Sequence, residues 1–332
     1  MTLADLTPAL TRFENAVAEV DITTALTVVE EALAGGADPI ALLTEVVVTA
    51  QRAVGDRWQR GEWSVAKEHA ATAVATAATE AVTRQVRRLP ITRGRVIVAC
   101  AEREWHALPA MIVDCALRSD GWDTTLLGAS TPALRLSQYL QDLGPDALAV
   151  SCSMLGSLPT ARRFIEAATA AGIPVLVGGP AFGADDLRAR SLGATAWAPD
   201  ARGAIDALRS IPPVVSPVAP LPDGPVTEQA ALELAHTELV TAITATWPGD
   251  DHAWDPGGEL SRDCVGLLLH ALWAALLTAD PRAISETVWW ISTLLDGRGA
   301  PPDLHNALRP AMAQALRDYP LAGTLLTATW PT

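Results

Sequence analysis

The chain has 332 residues, enough for two or three domains, and with 49% apolar against 19% charged residues it can bury cores of its own. A formal net charge of -14 repels phosphate backbones and anionic membrane surfaces, which argues against direct nucleic-acid or membrane binding. The opening stretch MTLADLTPALTRFENA lacks a basic region followed by an apolar core, and no apolar run of about 18 residues is apparent, so a cytoplasmic location is expected.

Residues 1–90 read as helices throughout. Asp38-Pro39 offers an N-cap with proline at the first helical position, and apolar residues at Leu42, Leu43, Val46, Val47 and Ala50 carry that helix to about Trp58. Ser64 caps an alanine-rich helix running from Val65 to about Val82, and Gly35-Gly36 forms a left-handed stop for an earlier one. The segment is expected to be a four-helix bundle.

Residues 91–210 change character. Short apolar runs, Val96–Val98, Thr124–Leu127, Ala147–Val150, Val175–Val177 and Thr195–Trp197, alternate with amphipathic stretches, the pattern of parallel strands buried on both faces. The expected fold is a flavodoxin-like, doubly wound five-stranded parallel sheet of the α/β class, whose ligands bind beyond the carboxyl ends of the strands. Residues 211–225 then hold six prolines in fifteen positions and read as a non-helical linker. Residues 226–332 are helical again and carry six of the eleven tryptophans, more than a small helical core requires, which suits a flat apolar ligand or an interface. Cys100, Cys115, Cys152 and Cys264 stand far apart in apolar surroundings without a CxxC pair, and read as buried thiols.

Two histidine motifs stand out. Glu104-Trp105-His106 falls in the loop after the first strand, where a neutral imidazole can ligate a transition metal and a carboxylate two residues away can fix its tautomer. Taken alone, the same residues read equally well as a surface loop. Trp58, nine intervening residues, and Glu68-His69 form the second motif; alone, it reads as a core tryptophan and a solvated helix start.

Together these motifs carry a resemblance. Glu-x-His-x-x-Pro at residues 104–109 resembles the Asp-x-His-x-x-Gly signature of cobalamin-binding domains, which implies His106 as the lower ligand of cobalt. Ser153-Met154-Leu155, with Ser151 just before it, resembles the Ser-x-Leu element around the displaced nucleotide tail, and Gly178-Gly179 the glycine pair that lets the tail pass. Glu104 in place of aspartate keeps the carboxylate; Pro109 in place of glycine alters the entry into the following helix. The Trp58–Glu68–His69 spacing resembles that of light-sensing adenosylcobalamin photoreceptors of the CarH type, which implies that Trp58 covers the adenosyl group while Glu68 and His69, with Trp105 nearby, complete the site. Those photoreceptors have a histidine after the tryptophan; here it is Gln59, which makes His69 the candidate upper cobalt ligand after photolysis. The resemblance covers about residues 1–210 and does not include the DNA-binding segment that precedes the module in CarH.

The third segment, including Trp289-Trp290-Ile291 and the run from Leu295 to Leu304, resembles globin-like sensor and phycobilin-binding domains, and the whole chain is most similar to photocobilins, which pair B12 with biliverdin. That resemblance implies a slot built from Trp273, Trp289 and Trp290, a propionate partner in Arg262 or Arg298, and His252, His270 or His305 near the pyrrole nitrogens. Cys264 more often packs than attaches a bilin. An ordinary helical core or a dimer interface remains open for this segment. The expectation is a photoreceptor rather than an enzyme, a homo-oligomer whose state depends on light, with a separate effector protein as partner. The alternatives are a corrinoid carrier of a methyltransferase system and a globin-like haem sensor with His270 or His305 on iron.

Overall fold

The computed structural model describes residues 3–247, 254–255 and 257–330, so His252 lies outside the described residues. Four helical rods form the N-terminal bundle. Helix α1 spans Leu3–Glu19 and α2 spans Ile22–Ala34, the latter capped by the Asp21 carboxylate, which accepts from the Thr24 N–H, and ended by Gly36 at φ +84°. The third rod is composite: α3 (Pro39–Ala41), a π-helical turn (Leu42–Val47) and α4 (Val48–Gln59). Asp38 starts it by accepting from the Ile40 and Ala41 N–H groups. The fourth, α5 (Val65–Val86), starts where the Ser64 hydroxyl accepts from the Lys67 N–H. Phe13, Val28, Leu43, Val46, Val74 and Ala78 close the bundle core.

The second domain alternates as its sequence indicates: β1 (Arg95–Cys100), α6 (Ala107–Ser119), β2 (Asp123–Gly128), α7 (Ala133–Leu143), β3 (Ala147–Ser151), α8 (Leu158–Ala170), β4 (Val175–Gly178), α9 (Leu187–Ser191), β5 (Ala196–Ala198) and α10 (Ala201–Ser210). All strand pairs are parallel and the order is β2-β1-β3-β4-β5, the flavodoxin-like arrangement. Register places Cys100, Ser151, Gly178 and Ala198 side by side, so four strands end in one row. Leu108, Ile112, Cys115 and Ala116 of α6 enter the bundle core, which fixes the bundle against this face of the sheet domain.

The proline-rich segment is shorter and more firmly placed than its composition indicates. Helix α11 (Asp223–Leu234) already begins at Asp223, because Pro225 falls in its first turn, where no intrahelical N–H bond is lost. The rest lies along the sheet domain: Arg162 donates to the Ala219 carbonyl at 2.6 Å, and the Val218 N–H donates to the Thr169 hydroxyl.

The third domain comprises α11, α12 (His236–Thr244), α13 (Glu259–Thr278), α14 (Arg282–Gly297), α15 (Leu304–Ala315) and α16 (Pro320–Thr329). Helix α13 corrects the expectation about apolar runs: its 20 residues are long and apolar enough to cross a membrane. Arg262, Asp263 and His270 break the run in the sequence, while in the fold Leu268, Leu269, Leu272 and Leu276 lie in the domain core and Ala274 and Leu277 in the core of the sheet domain. The four cysteines are buried and unpaired.

Candidate functional site

A cavity of about 780 Å³ separates the bundle from the carboxyl ends of the strands. Its floor is the loop after β1 together with the ends of β3 and β4. Glu104 is wholly buried in that floor. One carboxylate oxygen accepts from the His106 N–H at 2.8 Å and from His106 Nδ1 at 2.7 Å; the other accepts from the N–H groups of Ser153 at 2.5 Å and Met154 at 2.9 Å. Four donors thus compensate the cost of burying this charge. Burial alone would push the Glu104 carboxyl up; the hydrogen bonds from His106 and Met154 outweigh it and hold the group below the usual carboxylate range.

Glu104 therefore works behind the site, and His106 in it. With Nδ1–H donated to the carboxylate, the neutral ring keeps its lone pair on Nε2, and the side chain is 58% exposed on the cavity side. The Glu104 hydrogen bond raises the His106 pKa, burial opposes it, and a smaller upward push comes from Glu68 in the opposite wall. Trp105 stands on the rim with 73% of its surface free. Arg103 makes this turn at φ +69°, and the Glu104 carbonyl accepts from the Ser130 N–H.

Ser151, Ser153, Gly178 and Gly179 line the floor as the sequence indicates. Gly179 sits at φ +103°, and a Cβ there would collide with the Cys152 carbonyl oxygen; one on Gly178 would come within 2.9 Å of the Ala198 oxygen. The bare backbone leaves a groove for an extended chain at the row of strand ends. Leu155 does not line the cavity. It faces the seam between the sheet and the third domain, because the 3-10 turn Leu155–Ser157 carries it away from the strand ends.

The opposite wall comes from the π turn, α4 and α5. Glu68 accepts from the Thr72 hydroxyl at 3.0 Å, and Thr72 accepts from Gln51 Nε2 at 2.7 Å, so α4 and α5 are tied at the cavity. His69 Nε2 lies 3.4 Å from the Glu68 carboxylate and its ring is mostly exposed on the cavity side. Thr44 and Glu45, also in this wall, belong to the π turn, whose extra residue re-aims the helix surface. Nothing in the apolar spacing signals that turn.

Trp58 does not line the cavity, which corrects the sequence expectation. It stacks on Trp290 of α14 with ring centroids 5.8 Å apart and lies under the Arg298 guanidinium, and Arg298 donates to its carbonyl at 2.8 Å. Flat apolar surface and a cation satisfy the indole outside the site.

The residues assigned to a bilin do not converge. Trp289 is 67% exposed, Trp290 faces Trp58, Arg262 caps its own helix start through the Gly257 carbonyl, and His305 packs on Trp330. Among the described residues assigned to it, only His270 and Trp273 meet, at 4.7 Å, joined by His236, which the sequence reading missed. His236 Nε2, His270 Nδ1 and Trp273 Nε1 are buried without hydrogen-bond partners among the described residues. Burial pushes the His270 pKa down to about 4.

The comparisons with known proteins match the two cavity walls separately. A B12 binding domain family model matches residues 94–209, and a second B12 binding domain model matches residues 9–83. Trimethylamine corrinoid protein 2 of Methanosarcina mazei is 25% identical over 177 residues, covering 51% of this chain and 81% of that protein. The HTH-type transcriptional repressor CarH of Myxococcus xanthus is 30% identical over 165 residues, 46% of this chain and 52% of that protein; the match thus spans about half of CarH. The solved monomethylamine corrinoid protein of Methanosarcina barkeri shares the fold at TM-score 0.55 and 18% identity, over 61% of this chain and 98% of that one. The oriented His106, the bare glycine groove and the cavity between the matched segments fit a cobalamin, and the chain is a cobalamin-binding protein.

Proposed function

We propose that this cobalamin-binding protein is a light sensor that holds adenosylcobalamin between the bundle and the sheet, with His106 as lower ligand. When bound, adenosylcobalamin supplies a weak cobalt–carbon bond that visible light breaks. Glu104 keeps the His106 Nδ1–H engaged and directs Nε2 into the cavity; Glu68 and His69 face it from α5. The observation that carries the reading is this pairing: two Glu–His pairs on opposite sides of one cavity, the upper pair on α5, which Gln51 and Thr72 tie to α4, the helix anchored to the third domain through Trp58. Glu68 is a hydrogen-bond acceptor suited to a hydroxylated upper group, and His69 is a basic ring available once that group leaves. A change in the upper wall reaches the third domain through Trp58, and from there a change of oligomeric state or of effector binding follows.

The test is optical. Protein loaded with adenosylcobalamin in the dark should change its absorption spectrum and its elution volume under green light, and His106→Ala should alter the dark spectrum. A light-inert cobalamin spectrum together with methyl transfer to a thiol would establish the competing reading, a corrinoid carrier. What favours that rival is the fold shared with the monomethylamine corrinoid protein; against it stands the upper wall, tied to a third domain instead of being open to a methyltransferase.

A second chromophore is proposed at one place only. The ring nitrogens of His236, His270 and Trp273 are unpartnered and suit the polar edge of a biliverdin, which would have to displace the Gly156 turn packed against His270 to reach them. Added biliverdin should give a red-absorbing band that His270→Ala removes; a Soret band on adding haem would favour a haem sensor instead.

A further inference from the structure

The third domain touches both walls of the cobalamin cavity, at different helices. On the bundle side, the loop between α4 and α5 meets the end of α14. The Gly61 position would place a Cβ 2.5 Å from the Gly297 carbonyl oxygen, and a Cβ on Gly297 would lie 2.7 Å from the Arg60 backbone. Neither glycine can carry a side chain without parting the two segments. Around this contact Gln59 Nε2 donates to the Trp290 carbonyl at 3.1 Å, Arg298 donates to the Trp58 carbonyl, and the Trp58 and Trp290 rings stack. The loop is flanked by cavity residues on both sides: Gln51 and Arg52 precede it and Glu68 and His69 follow it.

On the sheet side the anchors lie on α11, α13 and α14. Arg103, next to Glu104, donates to Glu233 at 3.2 Å. The turn that follows Ser153 and Met154 presses on α13, so closely that a Cβ on Gly156 would lie 2.7 Å from His270 Nδ1. Farther out, Arg188 is buried and bonds Asp280 at 2.8 Å and Glu286 at 2.6 Å. The sheet seam is thus apolar and charge-locked, while the bundle seam is a small contact of two rings, two side-chain hydrogen bonds and two glycines.

We propose that the third domain is a clamp on the cobalamin cavity. Bundle and sheet are joined directly along α6 and are both fastened to the third domain as well, so the bundle can swing about the α6 contact and widen the gap only if one of the two seams gives, and the smaller seam at Gly61–Gly297 is the one that does. Departure of cobalamin requires the latch to part, and occupancy of the cavity holds it shut. The inference rests on cobalamin binding in this cavity and not on the response to light.

The experiment uses the full chain loaded with hydroxocobalamin in the dark, with release followed by absorbance after rapid desalting. Gly297→Val and Arg298→Ala should each release the cofactor about tenfold faster than the wild type, while Arg317→Ala, exposed and beyond α15, should release it at the wild-type rate. Trypsin provides a second readout, because Arg60 lies in the latch loop: hydroxocobalamin should slow its cleavage in the wild type and fail to do so in Arg298→Ala. Wild-type release rates and wild-type protection in variants folded by circular dichroism overturn the clamp; should Gly297→Val not fold, Arg298→Ala decides. A wild type that takes up no hydroxocobalamin overturns the cobalamin reading itself and the clamp with it.

Discussion

At the scale of single residues, the site turns on a buried carboxylate that never touches the cavity. Glu104 accepts four hydrogen bonds, two from His106 and two from backbone N–H groups after β3, and so joins two strand ends and fixes one imidazole. The Glu–x–His spacing makes the first two bonds legible in the sequence; the donors from Ser153 and Met154, 49 and 50 residues on, need the sheet register to bring them there. A pH dependence follows. Coordination needs a neutral Nε2, and the Glu104 hydrogen bond raises His106 above its ordinary 6.5, so the ring holds its second proton to higher pH than a free imidazole. The proton and cobalt compete for the same Nε2 lone pair, so histidine coordination is expected to weaken as pH falls, and Glu104→Gln, which removes the carboxylate that raises the His106 pKa, should move that transition to lower pH, as a spectral titration of the cobalamin-loaded protein would record. Gly179→Ala tests the floor: at φ +103° and against the Cys152 oxygen, the added methyl should cost roughly 1–3 kcal/mol in chemical denaturation and weaken cobalamin binding.

Among the elements, the composite third rod shows what local patterning misses. Apolar residues at 3.6-residue spacing announce the helix, and Asp38 and Ser64 announce two starts; the π turn in between leaves the same apolar residues buried and is invisible to that spacing. Trp58 was legible as a chemically special residue and not as a partner of Trp290, 232 positions away, because a stacking contact across domains leaves no local trace. Helix α13 carries two predictions. His270 stays neutral in the fold down to about 4, whereas the unfolded ring takes a proton near 6.5, so folding loses stability as pH falls through that interval, on the order of 3 kcal/mol in all. Thermal unfolding of His270→Gln between pH 7 and pH 4.5 should show a flatter loss than the wild type. Asp280, just past the helix end, partners a buried arginine; Asp280→Ala leaves the Arg188 charge less compensated and should cost about 3–5 kcal/mol in denaturant unfolding.

For the whole molecule, the sequence discloses three segments because their periodicities differ: helical spacing, then strand and helix in alternation, then helices again after a proline-rich stretch. It does not disclose how the third segment sits. Composition marks six tryptophans as surplus to a core, yet in the fold they divide among seam, core and surface instead of forming one slot, since buried, interfacial and exposed indoles look alike in a sequence. The arrangement that results is a cavity with His106 in its floor, His69 in its roof and a common anchor for both walls. A cobalamin held there by the His106 nitrogen carries a spectroscopic signature, which electron paramagnetic resonance of bound cob(II)alamin records. With every histidine of the protein labelled with 15N, coordination by His106 splits each cobalt line in two, and His106→Ala abolishes that splitting. A three-line pattern from the cofactor's own unlabelled base, unchanged by the label or by the substitution, would contradict it.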